Sequence, residues 1–487
     1  MPLNSSLLEI TKSTLCLNRT AIKIMPPSPL PVANPTTSFW RSSPHPLDDY
    51  RSTSDVPSQV DIAIIGAGYA GVSTVYHILD ICKRRGTVPP NIVILEAREA
   101  CSGATGRNGG HLKPDPSNRP SSLAVTHGVE IASECATFEA RNLSAVKKTI
   151  EDESIDCDFV LTRAVDVMMS DSVYNKMKSG FDMLRKNAFP GMEDVHFAKG
   201  ADAERLSGVK GAKGCLSYSA GHLFPYKLIL HLLSNAIDAG VNVQTHTPLT
   251  GVTKSADAEG YFTLTTPRGL VRAKDIVYAT NGYISSLLPE FTDTIIPSRG
   301  ICSHIKPTKN PAPFLPNSYM IRWSDTKYEY LIPRPDGSIV VGGARSEFYH
   351  DLESWYNNVN DDLLIDSAKT YFDGYMQRVF QGWEDSGAYT SQLWTGIMGY
   401  SSDSMPHIGV VPGRKNQFML AGFTGHGMPQ IFLSAKGIAS MVLDRVDFPS
   451  TGIPRIYMAT QTRLDNPKNS ILDGWREVHK KLDNAKL

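Results

Sequence analysis

The sequence predicts a mixed α/β (α+β) fold. A Rossmann-like domain, discontinuous in sequence, is joined to a second domain built on an antiparallel β-sheet. Three observations carry this prediction. Between Val60 and Glu96 the chain reads strand, glycine turn, helix, strand. A helix, a short strand and an antiparallel meander follow between Phe224 and Ala279, and another stretch of this kind runs from Trp394 to Val446. The long segments between them hold alternating apolar runs punctuated by turns, the mark of antiparallel strands.

The first unit is the most specific. The apolar strand Ile62 to Ile65 runs into Gly66-Ala-Gly68-Tyr-Ala-Gly71, a helix-period pattern follows, and the strand Ile92 to Leu95 ends at Glu96. Gly66 permits the tight turn, Gly68 lets a pyrophosphate approach the backbone, and Gly71 lets the helix pack closely. The N–H groups and dipole at the helix start favour phosphate. Glu96 is placed to accept ribose hydroxyls. This fingerprint in its strand–helix setting marks a dinucleotide site and leaves NAD and FAD both open.

Residues 101–110 bear on that choice. The run Ser102-Gly-Ala-Thr105-Gly-Arg-Asn108-Gly109-Gly110 has little bulk, many backbone donors and two hydroxyls. It suits wrapping a ribityl chain and the edge of a flat ring system. The same glycines also suit an ordinary flexible loop.

Composition narrows the class. The 487 residues are enough for two domains with full cores. Lys+Arg and Asp+Glu are 49 each, which gives no pull toward nucleic acid or anionic lipid. Apolar residues at 41 % and a mean hydropathy of −0.21 fit a soluble globular chain. No apolar run approaches the roughly 20 residues needed to span a bilayer. The seven cysteines are scattered without CxxC spacing, which argues for a reducing compartment and against a zinc site or disulfide framework.

The expected organisation follows the patterns. Residues 1–55 are an N-terminal arm, partly disordered, whose proline- and serine-rich part lies over the surface or stays mobile; translation starts at Met1 or at Met25. Residues 56–115, 221–282 and 394–446 form the dinucleotide domain, 116–220 and 283–393 the substrate domain, and 447–487 a helical tail. Leu249 to Tyr278 reads as a three-stranded meander, and Asp275 to Ala279 as a strand that stops at the ligand crevice. Arg322 to Tyr330, Leu331 to Pro333 and Ser338 to Val341 read as antiparallel strands. Gly422 to Pro429 opens a helix with one apolar face, Pro429 falling in its first turn. Ala485-Lys486-Leu487 fits a receptor-read peroxisomal address, so a peroxisomal or cytoplasmic location is expected, with the import receptor as a partner.

Six ordered segments, namely the Gly66 fingerprint, SGATGRNGG, ATNGY, IIPSRG, WTGIMGYSSDSMPHIG and AGFTGHGM, resemble the D-amino-acid-oxidase-type FAD oxidoreductases. That group includes glycine oxidase, sarcosine oxidase and γ-glutamylputrescine oxidase. The last resembles this chain most, through its RNGG loop and its TG-x-MGY segment. The resemblance spans about residues 56 to 445. It implies pyrophosphate at Gly66, Gly68 and Gly71, and adenosine ribose at Glu96. Ser102, Thr105, Asn108, Gly109 and Gly110 would hold the ribityl chain and ring edge. It further implies Leu249 near the adenine, Thr280 and Asn281 along the diphosphate, and Gly425, His426, Gly427 and Met428 at the pyrimidine side of the isoalloxazine. A helix start there would stabilise the negative charge that arrives with hydride.

Departures from the family carry as much. The sarcosine-oxidase branch attaches its flavin through a cysteine, where this chain has Gly396, so a non-covalent FAD is expected. The lysine that follows the GHG turn in that branch is Pro429 here, and the usual clamp for a small α-amino acid is therefore missing. The lysine used there for oxygen activation has no counterpart in Ser338 to Gly342.

The resemblance implies an enzyme that oxidises a C–N bond of a primary or secondary amine: hydride passes to the flavin, the imine hydrolyses, and O2 reoxidises the flavin to give peroxide. The alternatives are a flavin dehydrogenase with another electron acceptor and a non-catalytic flavin-binding module. Trp394, Tyr400 and Tyr330 are the expected aromatic pocket residues, with His426 and Arg299 as polar members. Each also has a bland reading: core packing for the aromatics, a loop brace for His426, an internal carboxylate partner for Arg299. Neither a metal, a nucleic acid nor a membrane partner is expected.

Overall fold

The computed structural model describes residues 30–309 and 313–484, and the strands of these residues fall into two sheets of eight and nine strands. In the first, the spatial order is His407–Val410, Gln417–Ala421, Gly269–Tyr278, Gln59–Ile65, Ile92–Leu95 and Asn242–Gln244. Every neighbouring pair in this path is parallel except the edge strand His407–Val410. Ile62 to Ile65 are buried without a break because both faces of the strand are covered. Ile62 and Ile64 face the core with helices Tyr69–Arg85 and Pro225–Asp238, whereas Ala63 and Ile65 face the meander. That meander is Gly251–Val252, Phe262–Thr266 and Gly269–Tyr278, as expected, with the last strand running on into the parallel sheet.

The second sheet orders Tyr389–Ser401, Ile295–Lys306, Ile339–Gly343, Tyr328–Pro333, Ser318–Arg322, Val160–Met168, Gly214–His222 and His111–Leu112. Its pairings are antiparallel except that of Ser318–Arg322 with Val160–Met168.

Three details differ from the sequence reading. Residue 394 falls inside Tyr389–Ser401, which pairs along its length with Ile295–Lys306, so the first sheet regains the chain only at His407. The strand expected over Arg322 to Tyr330 is broken by a turn in which the Trp323 N–H donates to Lys327 O at 2.9 Å; Ser318–Arg322 and Tyr328–Pro333 flank it. The final long helix of the first domain begins at Ile431, so Pro429 precedes it rather than sitting in its first turn.

From Leu30 onward the arm lies on the molecule. The Ser38 hydroxyl donates to Gly106 O at 2.6 Å, and the Trp40 indole to Asn108 O at 2.6 Å. The expected arm residues 1–29 and the Ala485-Lys486-Leu487 tripeptide lie outside the described residues. The tail forms short helical turns and then Ser470–Asn484; Ile471 and Leu472 are buried, and the Trp475 indole donates to Tyr349 O at 3.0 Å. Among the described residues, no helix is long and apolar enough to cross a membrane, and no group of three His, Cys, Asp or Glu side chains could hold a metal.

Candidate active site

The strands Gln59–Ile65, Ile92–Leu95 and Gly269–Tyr278 all end at one crevice. It is a cavity of about 130 Å³ lined by Gly66, Gly68, Glu96, Leu249, Thr280 and Asn281, among others. Gly66 has φ +109°, and a Cβ there would meet Ala279 O at 2.9 Å. A Cβ on Gly71 would lie 2.0 Å from Gly66 O, which is why the helix can start so close to the turn. The helix is capped by Gly68, which has no side chain to cover its N-terminus. One Glu96 oxygen accepts from the Ala67 N–H at 2.8 Å and the other from the Arg98 N–H at 3.0 Å. Each keeps a lone pair for a further donor. Thr280 Oγ1 and the hydroxyls of Tyr69 and Tyr283 are buried along the crevice with no hydrogen-bond partner among the described residues. Buried polar groups of this kind are normally satisfied, so the crevice is built for a polar ligand. Asn281 has φ +46°, and its Oδ1 accepts from the Gly422 N–H at 3.0 Å, tying two strand ends together.

The glycine loop follows as the short turn Ala104–Arg107, and its order comes from long-range contacts. The Tyr69 N–H donates to Thr105 Oγ1 at 3.0 Å, and the Gly110 N–H to Asn108 Oδ1 at 2.7 Å. Arg107 turns inward to Ser102 O at 2.8 Å and Thr395 O at 2.7 Å. Arg98 makes two bonds to Asp361, at 2.9 and 3.1 Å, and one to Val32 O on the arm at 3.1 Å. The flexible-loop reading therefore gives way to a braced loop. Ser102 Oγ is buried without a partner among the described residues. A Cβ on Gly109 would meet the Tyr330 ring at 2.5 Å, so any larger residue must displace that ring.

A second cavity, of about 480 Å³, shares Tyr69, Thr105, Asn281 and Ile397 with the first. Gly425, His426, Gly427 and Met428 line it, immediately before helix Ile431–Asp444. Gly425 has φ +74°, and a Cβ there would lie 3.4 Å from the Tyr400 hydroxyl. The His426 Nε2 pairs with Glu139 at 2.9 Å. Glu139 is 2 % exposed and also accepts from the Asp115 N–H at 2.9 Å and from Gln430 at 2.7 Å. Burial pushes the Glu139 carboxyl up, but His426, Arg119 and the Asp115 N–H outweigh it and hold the group below its ordinary value.

The expected pocket residues divide. Tyr330, Tyr400, His426 and Arg299 line the larger cavity. Burial raises both phenols well above their ordinary value, so they remain protonated donors. Arg299, however, spends its donors on Ser354 O at 2.8 Å and Asn360 O at 3.1 Å, bracing a loop through main-chain carbonyls rather than a protein carboxylate. Trp394 is not a wall of the cavity. It is fully buried beneath the glycine loop, its indole donating to Arg107 O at 2.8 Å, because its strand runs under that loop. Asp403 fixes its own turn, accepting from Ser401, the Met405 N–H and Arg463.

The sequence reading missed several wall residues: His111, Lys113, Arg322, Tyr328 and Arg345, together with Glu139 behind His426. His111 and Lys113 closely follow Gly110 and could have been found as a continuation of the loop. Nothing local marks Glu139 or Arg345; they reach the site only through tertiary packing.

Comparison with known proteins gives the family and the fold. The family model described as DAO, FAD dependent oxidoreductase, matches residues 61–441. The chain belongs to this family of FAD-dependent oxidoreductases and is an enzyme whose cofactor is FAD. Among curated proteins it is similar to the gamma-glutamylputrescine oxidoreductase of Escherichia coli K12, at 21 % identity over 413 residues, covering 84 % of this chain and 89 % of that protein. Among solved structures, the glycine oxidase of Geobacillus kaustophilus superposes with a TM-score of 0.61 at 18 % identity, covering 80 % of this chain and 96 % of that one. The L-proline dehydrogenase of P. horikoshii gives 0.62 at 17 %, covering 82 % and 98 %. These structural likenesses concern the fold.

Proposed function

We propose that the enzyme oxidises a C–N bond of a primary or secondary amine and passes the electrons to O2. The observation that carries the reading is the larger cavity, where the aromatic walls of Tyr328, Tyr330 and Tyr400 and the cations Lys113, Arg322 and Arg345 surround the Gly425–Met428 turn. The relatives support it, since gamma-glutamylputrescine and glycine are both amines.

Gly66, Gly68, Glu96, Thr280, Asn281 and the glycine loop would hold FAD in the crevice, and the bound flavin would supply the hydride acceptor. The chain's own task is to orient the amine and keep it neutral. A free alkyl amine titrates near ~10, and an apolar pocket lowers that by penalising the cation. Tyr330 and Tyr400, kept protonated by burial, orient the amine as donors. The Gly425–Met428 turn lines the cavity just before helix Ile431–Asp444 and would favour negative charge placed beside it. Loss of a hydride and a proton would convert the amine to an imine, water would hydrolyse it to a carbonyl and an amine, and the same two electrons would pass on to O2 to give peroxide. With Gly396 at the cysteine position of the sarcosine-oxidase branch, we take the FAD to be non-covalent.

A second reading is a dehydrogenase with another acceptor. Strand Ile339–Gly343 carries no lysine, and one structural neighbour is an L-proline dehydrogenase. Assaying purified holoenzyme on an amine panel for peroxide and carbonyl product decides between the two. Equal yields of both support the oxidase; carbonyl formed only with an added dye acceptor supports the dehydrogenase. The enzyme's place in the peroxisome or cytoplasm is part of the proposal, tested by fluorescent tagging at the N-terminus with and without the last three residues.

A further inference from the structure

The glycine loop runs straight into the short strand His111–Leu112, which pairs antiparallel with Gly221 and His222. Side chains alternate along a strand, so Leu112 enters the core while its neighbours His111 and Lys113 line the larger cavity. Lys113 is satisfied there, donating to Asp166 at 2.8 Å and to the Tyr218 hydroxyl at 2.6 Å. His111 is not. Both of its ring nitrogens are buried with no hydrogen-bond partner among the described residues. Tyr69, Ser298 and Arg322 each leave one such atom on this wall, and His111 leaves two, which marks it as the side chain most in need of a ligand.

The ring is held in place and held neutral. It meets Tyr330 edge-on, with centroids 5.8 Å apart and planes at 75°. Tyr330 is itself wedged, since a Cβ at either Gly109 or Gly342 would strike its ring. Burial, then Lys113 and His222, push the imidazole down to about 3 against the opposing pull of Asp166. A neutral imidazole has one donor and one acceptor nitrogen. That acceptor is scarce on this wall, where Lys113, Arg322 and Arg345 are cations and only donate. Asp325 pairs outward with Lys176 at 2.7 Å. Asn108 Oδ1 and Asn281 Oδ1 are taken by the N–H groups of Gly110 and Gly422. The Tyr330 oxygen already meets Cys302 Sγ at 3.3 Å, and Tyr328 takes a bond from Arg345.

We propose that His111 accepts the N–H of the neutral substrate amine, and so selects primary and secondary amines over tertiary ones, which have no N–H to give. This rests on the amine-oxidation reading and names the group that recognises the reacting nitrogen. The bond also serves the reaction. As hydride leaves the carbon, positive charge grows on the nitrogen and its N–H becomes a stronger donor, so a fixed neutral acceptor gains most in the transition state.

Binding tests this without turnover. Oxidised holoenzyme is titrated with aniline, an amine that is neutral near neutral pH, with toluene, which matches its shape but has no N–H, and with N,N-dimethylaniline, following the flavin bands and heat. Wild type should bind aniline about 10-fold more tightly than either of the others, because only aniline satisfies the buried acceptor. His111→Phe keeps the ring against Tyr330 and removes both nitrogens; it should erase the preference while toluene binds as before. His111→Gln restores an acceptor and should recover part of it. Equal binding of aniline and toluene by wild type would overturn the proposal. So would a preference that survives in His111→Phe, including the case where that variant alters only FAD affinity and the flavin bands, since the ring would then serve the cofactor. If His111→Phe does not fold, His111→Leu carries the same expectations. The two readings fail separately. A preference absent from wild type or surviving in His111→Phe, with amines still reducing the flavin, removes only the role of His111; a preference that His111→Phe erases, with no amine reducing the flavin, removes amine oxidation.

Discussion

Replacing Asp361 with asparagine should cost the fold far more than one hydrogen bond. Asp361 is fully buried and faces two guanidiniums, Arg98 at 8 % and Arg107 at 1 % side-chain exposure. Burial pulls Arg107 down to about 10, and Asp361 is the largest influence opposing that fall. The asparagine amide would keep one acceptor for Arg98 but turn an N–H2 toward the remaining donors, leaving two buried cations without a counter-charge. Stranding a buried charge in this way costs about 3–5 kcal/mol, equivalent to more than 100-fold in the folded population. The same residues hold the cofactor loop: Arg107 fastens Ser102 O and Thr395 O, and Arg98 fastens the arm at Val32. FAD should therefore escape earlier in the melt. Urea unfolding followed by flavin fluorescence measures both effects. Asp361→Asn combined with Arg98→Met should recover part of the loss, since it removes one of the stranded charges. A single variant within about 0.5 kcal/mol of wild type, the range of an ordinary surface change, would refute the reasoning.

Three further outcomes follow from the same geometry. Glu96→Gln sets an amide N–H2 against the Ala67 or Arg98 N–H and should weaken FAD about 10- to 100-fold, measured by dialysis of apoprotein against FAD. Gly109→Ala drives a methyl into the Tyr330 ring and should slow flavin reduction by amines while the chain still folds, checked by rapid mixing beside a melting curve. Burial works to raise the Asp403 carboxyl, but Arg463, His407 and Ser401 overcome this and hold it at about 2, below its ordinary 3.8. Its stabilising contribution is complete above about pH 4 and is lost as pH falls toward 2; Asp403→Asn should be less stable at pH 7 and show a flatter melting-temperature profile over that window.

What was legible in the sequence was local. Gly66, Gly68, Gly71 and Glu96 lie within one strand–turn–helix–strand unit, where each requirement is set by near neighbours. The strand end at Thr280 and the helix after Gly427 were readable for the same reason. What escaped was set by distance along the chain. Tyr389–Ser401 joins the second sheet because it pairs with Ile295–Lys306, about 95 residues earlier, and this placed Trp394 under the loop rather than over the substrate. The His426–Glu139 pair spans 287 positions, and Arg98 meets Asp361 across 263. No periodicity records such contacts. The arm was also ambiguous by composition alone, because its proline and serine content does not reveal that Ser38 and Trp40 find acceptors on Gly106 and Asn108.

The most direct test of amine oxidation at this site is anaerobic mixing of the yellow holoenzyme with single amines, watching the flavin absorption and then admitting air. The account predicts that at least one primary or secondary amine bleaches the bands and that air restores them with release of peroxide. Retention of full colour with every amine tried, in protein that carries a full complement of FAD, would contradict it.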